Sequence, residues 1–253
     1  MGTALITGAG RGIGLSTATA LAEAGFDVAL VSLEPETDIA KAVLELRAYG
    51  RKVIYFMQDI AKLEMHSALV EEIHTRIGPI DCLVNNAGVT SLSRGDMLEL
   101  GAESFDRCVD INLRGTFFLT QAVARAMLAT PAPGTYRSII TITSANADVI
   151  GMNRADYCIT KAALSMASKL FAARLASTGI HVFEVRPGII RTEMTAPAAD
   201  KYERLIADDG VPLRRWGEPQ DVGKTVATIA RGLLPFATGE ILNVGGGLHL
   251  HRI

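Results

Sequence analysis

The feature that most constrains the fold lies near the N-terminus, where a short apolar run leads into four glycines within seven residues. Residues 3–7 (Thr-Ala-Leu-Ile-Thr) predict a strand, residues 8–14 a turn, and the alanine-rich residues 15–24 a helix that ends at Gly25. Glycine has no Cβ, so such a turn lets backbone N–H groups approach a ligand closely. A strand, a glycine turn and a helix in this order form the unit in which a helix N-terminus binds a pyrophosphate.

The alternation of strand and helix patterns continues along the chain. Further strands are predicted at residues 27–33, 53–56, 81–84, 138–142, 181–185 and 240–244, and further helices at residues 36–49, 64–77, 104–129, 154–177 and 219–232. The early strands are nearly continuous in apolar residues, as in parallel sheets that are covered on both faces. We therefore predict an α/β fold, a Rossmann-type doubly wound parallel sheet of about seven strands with helices on both faces, in a single domain over residues 1–253.

Charge and composition argue against several classes of function. The formal net charge of −2 disfavours nucleic acid and anionic membranes as partners, because both bind basic surfaces. No apolar run is long enough to span a membrane. The three cysteines form no C-x-x-C pair, which suits a reducing compartment, and we expect a cytoplasmic protein. His249 and His251 have no third ligand nearby, so no metal site is expected.

Glycines and polar residues follow five of the predicted strands. They are residues 8–14, Asp59, residues 85–88, Ser144, and Pro187 with Gly188. In doubly wound sheets the ligand lies beyond the carboxyl ends of the strands. We therefore expect these five segments to converge on one binding site.

Tyr157 and Lys161 are four residues apart on a predicted helix, so their side chains face the same space. A phenol has a pKa of about 10 and exchanges protons poorly at neutral pH. A lysine ammonium nearby favours the phenolate and lowers this pKa. The pair is therefore interpreted as an acid/base unit.

Together these motifs resemble those of the short-chain dehydrogenase/reductase family, over nearly the whole chain. Residues 7–14 are similar to its Thr-Gly-x-x-x-Gly-x-Gly turn, and residues 85–88 (Asn-Asn-Ala-Gly) to the signature after its fourth strand. Asn112, Ser144, Tyr157 and Lys161 match its catalytic tetrad in order and approximate spacing, and Pro187, Gly188 and Thr192 match its nicotinamide-side loop. The overall pattern resembles the branch of 3-oxoacyl-acyl-carrier-protein reductases.

The resemblance implies an NAD(P)-dependent oxidoreductase that transfers a hydride between nicotinamide and a carbonyl or secondary alcohol. Tyr157 would be the general acid in reduction and the base in oxidation, and Lys161 would lower its pKa and bind the nicotinamide ribose. Ser144 would hydrogen-bond the reacting oxygen, and Asn112 would hold a water that relays protons from Lys161. The implied cofactor contacts are Gly8, Arg11, Gly12, Ile13, Gly14, Ser32, Asp59, Ile60, Asn86, Ala87, Gly88, Tyr157, Lys161, Pro187, Gly188, Ile190 and Thr192.

The choice of cofactor is made where the second strand ends. Members of the family that use NAD usually have an acid there, whereas this chain has Ser32. Arg11 matches a basic position of NADP-using members. Leu33 is not basic, however, and Glu34 would repel a phosphate if it turned inward. We expect NADP or NAD, with NADP slightly favoured.

The substrate pocket is expected to come from residues 145–152, 189–190 and 192–208, the last of which is a candidate mobile lid. Its apolar lining is predicted to be Ala147, Val149, Ile150, Met152 and Met194, and Asn146, Asn153 and Arg154 are candidates for contacting a polar or acidic group. Only Arg125, Arg137, Lys169 and Arg174 are available to dock an acyl carrier protein. A small ketone, a hydroxy acid, a sugar derivative and a 3-oxoacyl thioester all stay open as substrates.

Family members are commonly tetramers, which implies a homotetramer here. The helices that carry Asn112 and Tyr157 would pack between subunits, and the C-terminal strand and tail would form a second interface. The alternative function is a catalytically silent, cofactor-binding redox sensor or scaffold, against which the complete tetrad argues.

Overall fold

A parallel sheet of seven strands forms the centre of the protein, in the order β3-β2-β1-β4-β5-β6-β7. The computed structural model describes residues 2–250. The strands are β1 (Thr3–Thr7), β2 (Asp27–Ser32), β3 (Val53–Met57), β4 (Ile80–Asn85), β5 (Arg137–Ile142), β6 (Ile180–Pro187) and β7 (Glu240–Val244). The chain direction across the sheet reverses between β1 and β4, and this switch point is where doubly wound sheets bind ligands. The predicted fold class is confirmed.

Helices cover both faces of this sheet. They are α1 (Gly12–Glu23), α2 (Glu36–Arg47), α3 (His66–Arg76), α4 (Ala102–Cys108), α5 (Thr116–Ala129), α6 (Ala155–Leu175), α7 (Ala199–Ala207) and α8 (Pro219–Ala230). Successive side chains of a strand point to opposite faces. Accordingly Ala4 and Ile6 belong to one core and Leu5 to the other, and all three are fully buried. Two covered faces explain why the strands are apolar at nearly every position.

The predicted helix at residues 104–129 is interrupted by a π-helical segment, Val109–Gly115, between α4 and α5. Gly115 ends this segment, and a Cβ there would lie only 2.6 Å from the carbonyl oxygen of Ile60. Asn112 lies at the centre of the segment and is fully buried. Because π-helical turns widen a helix locally and are frequent at functional sites, this irregularity directs attention to Asn112.

The predicted lid at residues 192–208 contains a short 3₁₀ turn (Ala196–Ala198) followed by α7. Tyr202 of α7 is buried and packs edge-on against Trp216, with 5.7 Å between the ring centroids. These two rings form a small third core with Ile189 and Val211. The candidate mobile lid is therefore anchored to the rest of the protein through Tyr202. Among residues 2–250, no helix combines the length and apolar character that a membrane span requires.

Candidate active site

A cleft of about 720 Å³ opens along the carboxyl ends of the central strands. Every residue that the family resemblance implied as a cofactor contact lines this cleft, together with Ser144. Asn112 does not line it, because its side chain lies behind the cleft wall, inaccessible to solvent. The convergence that was expected from separate strand ends is therefore present in the structure.

The glycine turn forms one end of the cleft and leaves no room for side chains. Gly8 and Gly12 have positive φ angles of 62° and 53°, which disfavour any residue with a Cβ. A Cβ on Gly14 would lie 2.0 Å from the carbonyl oxygen of Gly8. Helix α1 begins at Gly12 with no side-chain cap and no acid in its first turn. Its free N–H groups and positive helix end fit the pyrophosphate of a dinucleotide.

Asn86 holds this turn in position. Its side-chain Nδ2 donates to the carbonyl oxygens of Thr7 at 2.9 Å and Gly8 at 3.0 Å. In return, the Thr7 hydroxyl accepts hydrogen bonds from the backbone N–H groups of Asn86 and Ala87, both at 3.0 Å. The side chain of Asn86 therefore links the ends of β1 and β4 and shapes the cleft.

Tyr157 and Ser144 meet at the other end of the cleft. Ser144 follows β5, and its hydroxyl accepts from the backbone N–H of Asn146 at 3.1 Å, so it also caps the next turn. Burial raises the pKa of Tyr157 above its ordinary value, against the hydrogen bond of Ser144 and the charge of Arg154, which lower it. The phenol is therefore protonated at neutral pH and can donate a proton.

The expectation that Lys161 acidifies Tyr157 is not met in this structure, in which the pKa of Tyr157 is raised. Lys161 is buried as well, and its Nζ lies 5.6 Å from the centre of the Tyr157 ring and donates to the carbonyl oxygen of Ile142 at 3.0 Å. Burial lowers the pKa of Lys161 to about 8, against the charge of Glu184, which raises it. Burial thus dominates the pKa of each group, and the charge that lowers the pKa of Tyr157 is that of Arg154 and not that of Lys161.

Asn112 fixes the loop that faces Lys161. Its Oδ1 accepts from the Val89 N–H at 2.7 Å, and its Nδ2 donates to the Val89 carbonyl at 2.9 Å and to the Thr160 hydroxyl at 3.1 Å. A Cβ on Gly88 would lie 3.2 Å from the Asn112 Oδ1 and 3.6 Å from the Lys161 Nζ. The glycine therefore lets the two side chains approach the backbone of this loop.

The low pKa of Lys161 predicts a pH-dependent stability. The folded protein releases this proton near pH 8 and the unfolded chain near its ordinary pKa of 10.5, so the unfolded state binds more protons between these values. Below pH 8 Lys161 is charged in the folded protein, and the burial of this charge destabilises the fold. This destabilisation disappears as the pH rises from 8 to 10.5. The unfolding free energy of the native protein should gain roughly 3 kcal/mol over this range relative to Lys161→Met.

Chemical denaturation of both proteins at several pH values measures this difference, and the comparison cancels the titration of all other groups. Parallel stability curves from pH 7 to 10.5 would show that Lys161 keeps an ordinary pKa in the folded protein.

Asp156 is a site residue that the sequence interpretation missed. It is fully buried and accepts from the hydroxyls of Ser91 and Ser104, the latter at 2.6 Å, and from the backbone N–H of Tyr157 at 2.8 Å. Burial raises its pKa, but the hydrogen bonds from Ser104 and Ser91 outweigh this and lower it. The carboxylate thus anchors the start of α6, and with it Tyr157, to α4 and to the loop after β4. No motif marks it, because its partners are distant in sequence.

Glu34 turns inward beside the glycine turn. Its carboxylate accepts from the hydroxyl of Ser32, and its Oε1 lies 3.4 Å from the Nε of Arg11. A Cβ on Gly10 would lie 2.7 Å from the Glu34 Oε2, so the carboxylate reaches the glycine turn. Arg11 also pairs with Glu193 of the lid segment, with 2.6 Å between Nη1 and Oε2. Glu34, whose orientation the sequence did not determine, is thus part of the cleft lining. Arg11 pairs with two carboxylates, those of Glu34 and Glu193.

Asp59 is also in the cleft lining, next to Ile60. Its Oδ1 accepts from the backbone N–H of Ala61 at 2.9 Å, which stabilises the turn after β3. One carboxylate oxygen therefore has a structural partner, and the other carries no hydrogen bond within residues 2–250.

The substrate end of the cleft differs from expectation. The lining of the cleft includes none of the predicted residues from the loop after Ser144: Asn146, Ala147, Val149, Ile150, Met152, Asn153 and Arg154. Ile150 and Met152 are 81% and 75% exposed, because this loop points them outward. Met194 does line the cleft, and so do residues that the sequence did not suggest, from the loop after β4 and from the helical run that follows: Val89, Thr90, Ser91, Leu92, Arg107 and Ile111.

One of the four basic candidates for carrier docking is excluded. Arg137 is buried, pairs with Asp81 at 3.3 Å, and donates to the carbonyl oxygens of Met127 and Thr130. Its guanidinium therefore connects β4 to the end of α5 and is not available to a partner. Residues 2–250 contain no group of three or more metal-ligating side chains, and His251 lies outside the described residues.

The chain is similar to known enzymes over its whole length. Residues 8–249 match the family described as Enoyl-(Acyl carrier protein) reductase. A 3-oxoacyl-[acyl-carrier-protein] reductase of Staphylococcus epidermidis is 34% identical over 249 residues, covering 98% of this chain and 99% of that protein.

The fold of this chain is also similar to solved structures of known enzymes. The crystal structure of a 3-oxoacyl-[acyl-carrier protein] reductase from Brucella melitensis in complex with NAD has a TM-score of 0.96 at 48% identity, covering 99% of this chain and 98% of that one. A gluconate 5-dehydrogenase from Burkholderia cenocepacia J2315, in complex with NADP and tartrate, has a TM-score of 0.87 at 32% identity, covering 97% and 94%.

Proposed function

The chain belongs to the short-chain dehydrogenase/reductase family, and on that premise we propose that Tyr157 exchanges the proton in an NAD(P)-dependent oxidation or reduction at a carbonyl or secondary alcohol carbon. The nicotinamide, when bound, supplies or accepts the hydride. Relatives are known in complex with NAD and with NADP, which supports either cofactor for this chain. The observation that carries the proposal is the meeting of Tyr157, Ser144 and Lys161 in the cleft that the glycine turn closes.

In carbonyl reduction, negative charge develops on the substrate oxygen. Ser144 and protonated Tyr157 are donors positioned in advance for this charge, and one such donor is typically worth about 3 kcal/mol in the transition state. Tyr157 then transfers its proton to the oxygen. Lys161 would bind the nicotinamide ribose, and Asn112, which bonds to both backbone groups of Val89, would position the water of the relay.

The glycine turn, residues 8–14, forms a phosphate cradle that would hold the cofactor by its pyrophosphate. Gly8, Gly12 and Gly14 provide the close backbone approach, and the N-terminus of α1 provides the positive end. Asp59 and Ile60 would contact the adenine end of the cofactor, and Pro187, Gly188, Ile190 and Thr192 its nicotinamide end; all six residues line the cleft.

The test of this function is an assay of the purified protein with NADH and NADPH against small ketones, oxo acids, keto sugars and 3-oxoacyl thioesters. Turnover of any of these supports an oxidoreductase. Cofactor binding without turnover on the whole panel would favour the silent sensor.

Glu34 and Arg11 set the choice between the two cofactors. The pKa of Glu34 is lowered, because hydrogen bonds from Ser32 and the backbone and the charge of Arg11 outweigh burial, which raises it; the group is therefore charged at neutral pH. A carboxylate accepts from a ribose diol and repels a 2′-phosphate, and like charges in contact cost several kcal/mol. Glu34→Gln should therefore raise kcat/KM for NADPH relative to NADH by roughly tenfold or more, and Arg11→Ala should lower this ratio.

Steady-state kinetics with both cofactors measure the ratio. Glu36→Gln removes an exposed charge two residues away and is the matched control. An unchanged ratio in both the Glu34 and the Arg11 variants would remove these residues from the choice of cofactor.

We also propose a cytoplasmic homotetramer. Large apolar side chains are exposed on α5 and α6: Phe118, Ile159, Met166 and Leu170, at 40%, 51%, 56% and 61%. Apolar side chains on the outer face of helices are typical of surfaces that pack against another subunit. The edge strand β7 and the fully exposed Phe236 support a second interface. Light scattering of the purified protein distinguishes a tetramer from a monomer.

A further inference from the structure

Two arginines outside the lining of the cleft lack an acidic partner: Arg154 directly precedes α6, which carries Tyr157, and Arg94 lies in the segment after β4. Arg94 and Arg154 are both partly buried, and neither forms an ion pair with a carboxylate in the part of the chain that the structure describes. The Nε of Arg154 is inaccessible to solvent and has no hydrogen-bond partner within residues 2–250. Partly buried cations are normally paired with an anionic group, so these two arginines are candidates for binding an anion.

Arg154 contacts Tyr202 of α7, and the charges of Arg154 and Arg94 both act on its phenol. The Nη1 of Arg154 donates to the Tyr202 hydroxyl at 3.0 Å. Burial raises the pKa of Tyr202, but the hydrogen bond and charge of Arg154 and the charge of Arg94 outweigh it and lower the pKa. A phenol accepts a hydrogen bond without neutralising either cation, so the positive charge at this point stays uncompensated.

The positive charge of Arg154 also acts on Tyr157, the proposed proton donor. Arg154 lies three residues before Tyr157, at the start of α6, and its charge acts to lower the pKa of Tyr157. A Cβ on Gly151 would lie 2.7 Å from the Arg154 Nε, so the loop after Ser144 is shaped around the guanidinium. Asp156, the nearest acid in sequence, is directed instead at Ser91 and Ser104.

Resting on the proposed function, we propose that Arg154 and Arg94, with Tyr202, bind the carboxylate of an oxo acid or hydroxy acid whose reacting carbon lies beside Tyr157. Guanidinium groups present paired N–H donors that match the two oxygens of a carboxylate. A 3-oxoacyl thioester is neutral at the corresponding position and would leave both cations unpaired. The subsite therefore selects a free acid over a carrier-bound acyl group.

The test compares each acid with its neutral ester. Acetoacetate, 4-oxopentanoate and 5-oxohexanoate are assayed against their methyl esters, and the best-reduced pair is kept. Arg154→Gln should lower kcat/KM for the acid roughly 10- to 100-fold, the usual value of a hydrogen bond to a charged group, and should lower that for the ester by a clearly smaller factor. Arg154→Lys should recover part of the loss, since it restores charge without the paired donors.

Arg204→Gln is the matched control, because Arg204 lies on α7 near Tyr202 but is exposed and bonds only to the carbonyl of Asp200. It should alter neither substrate. Equal loss for acid and ester in Arg154→Gln, together with a lower melting temperature, would mean that Arg154 only supports the fold and would overturn the subsite.

A binding measurement separates failure of the subsite from failure of the function. Malonate should bind the protein saturated with NADH, as measured by calorimetry, and Arg154→Gln should weaken this binding at least about tenfold. If no substrate is reduced but malonate binding depends on Arg154, the proposed function fails and the subsite stands. If esters are reduced as well as acids and malonate does not bind, the subsite fails and the function stands.

Discussion

Replacing Tyr157 with phenylalanine should lower kcat for carbonyl reduction by roughly 10³-fold, the central value for loss of a general acid. The hydroxyl that is lost shares the cleft with Ser144, and burial keeps it protonated at neutral pH. The ring that remains still fills the same volume, so cofactor affinity should change by less than about threefold. Steady-state kinetics with NADH and NADPH, together with a fluorescence titration of NADH, measure both quantities.

Tyr136→Phe is the matched control. Tyr136 precedes β5 at the opposite end of the strands, stacks on His181 at 4.7 Å between ring centroids, and has a buried hydroxyl with no hydrogen-bond partner within residues 2–250. Its removal should leave kcat unchanged. A Tyr157→Phe enzyme that retains more than about a tenth of the native kcat would assign the proton to another group.

Replacing Gly14 with alanine should abolish measurable dinucleotide binding, with a loss of affinity of more than about 100-fold. The added methyl group would lie 2.0 Å from the carbonyl oxygen of Gly8 and 2.6 Å from the Nδ2 of Asn86. Neither can retreat, because Asn86 holds the Gly8 carbonyl at 3.0 Å. The turn must therefore deform where the pyrophosphate binds, and overpacking of this kind costs about 1–3 kcal/mol of stability or more.

Titration of NADH and thermal unfolding measure the two effects. Gly101→Ala is the control, since a Cβ at Gly101 has nothing within 4 Å and its φ of −75° suits any residue. A Gly14→Ala protein with native affinity for NADH would contradict the assignment of residues 8–14 as the phosphate cradle.

Local patterns predicted most of the architecture. All seven strands were expected within a few residues of their observed bounds, because a parallel strand covered on both faces has an unmistakably apolar sequence. The long helix at residues 104–129 was expected to be regular, and the π-helical segment Val109–Gly115 was not foreseen. In this segment Asn112 bonds to Val89 and Gly115 lies close to Ile60, and no local pattern encodes such distant partners.

The candidate site, too, was predicted from the sequence only in part. Gly8, Gly14, Tyr157 and Lys161 were identified from spacing, since a turn or a helix brings residues at fixed separations together. Ser144 was identified from its position after a predicted strand and from the family resemblance. Spacing also suggested a Tyr157 acidified by Lys161, whereas in the structure the burial of Tyr157 raises its pKa. The charge of a neighbour is visible in a sequence, whereas the burial that opposes it is not.

The sequence by itself therefore determined the order of strands and helices, the phosphate cradle and the acid/base pair, because these depend on backbone conformation and on residues close together in the chain. Only the tertiary structure decided which side chains face the cleft. It turned Glu34 inward against Arg11, buried Asp156 among hydroxyl groups, and brought Tyr202 from α7 onto Arg154. These pairings join residues far apart in the chain or depend on how the chain is buried, and desolvation, which sets their charge and strength, exists only once the chain is packed.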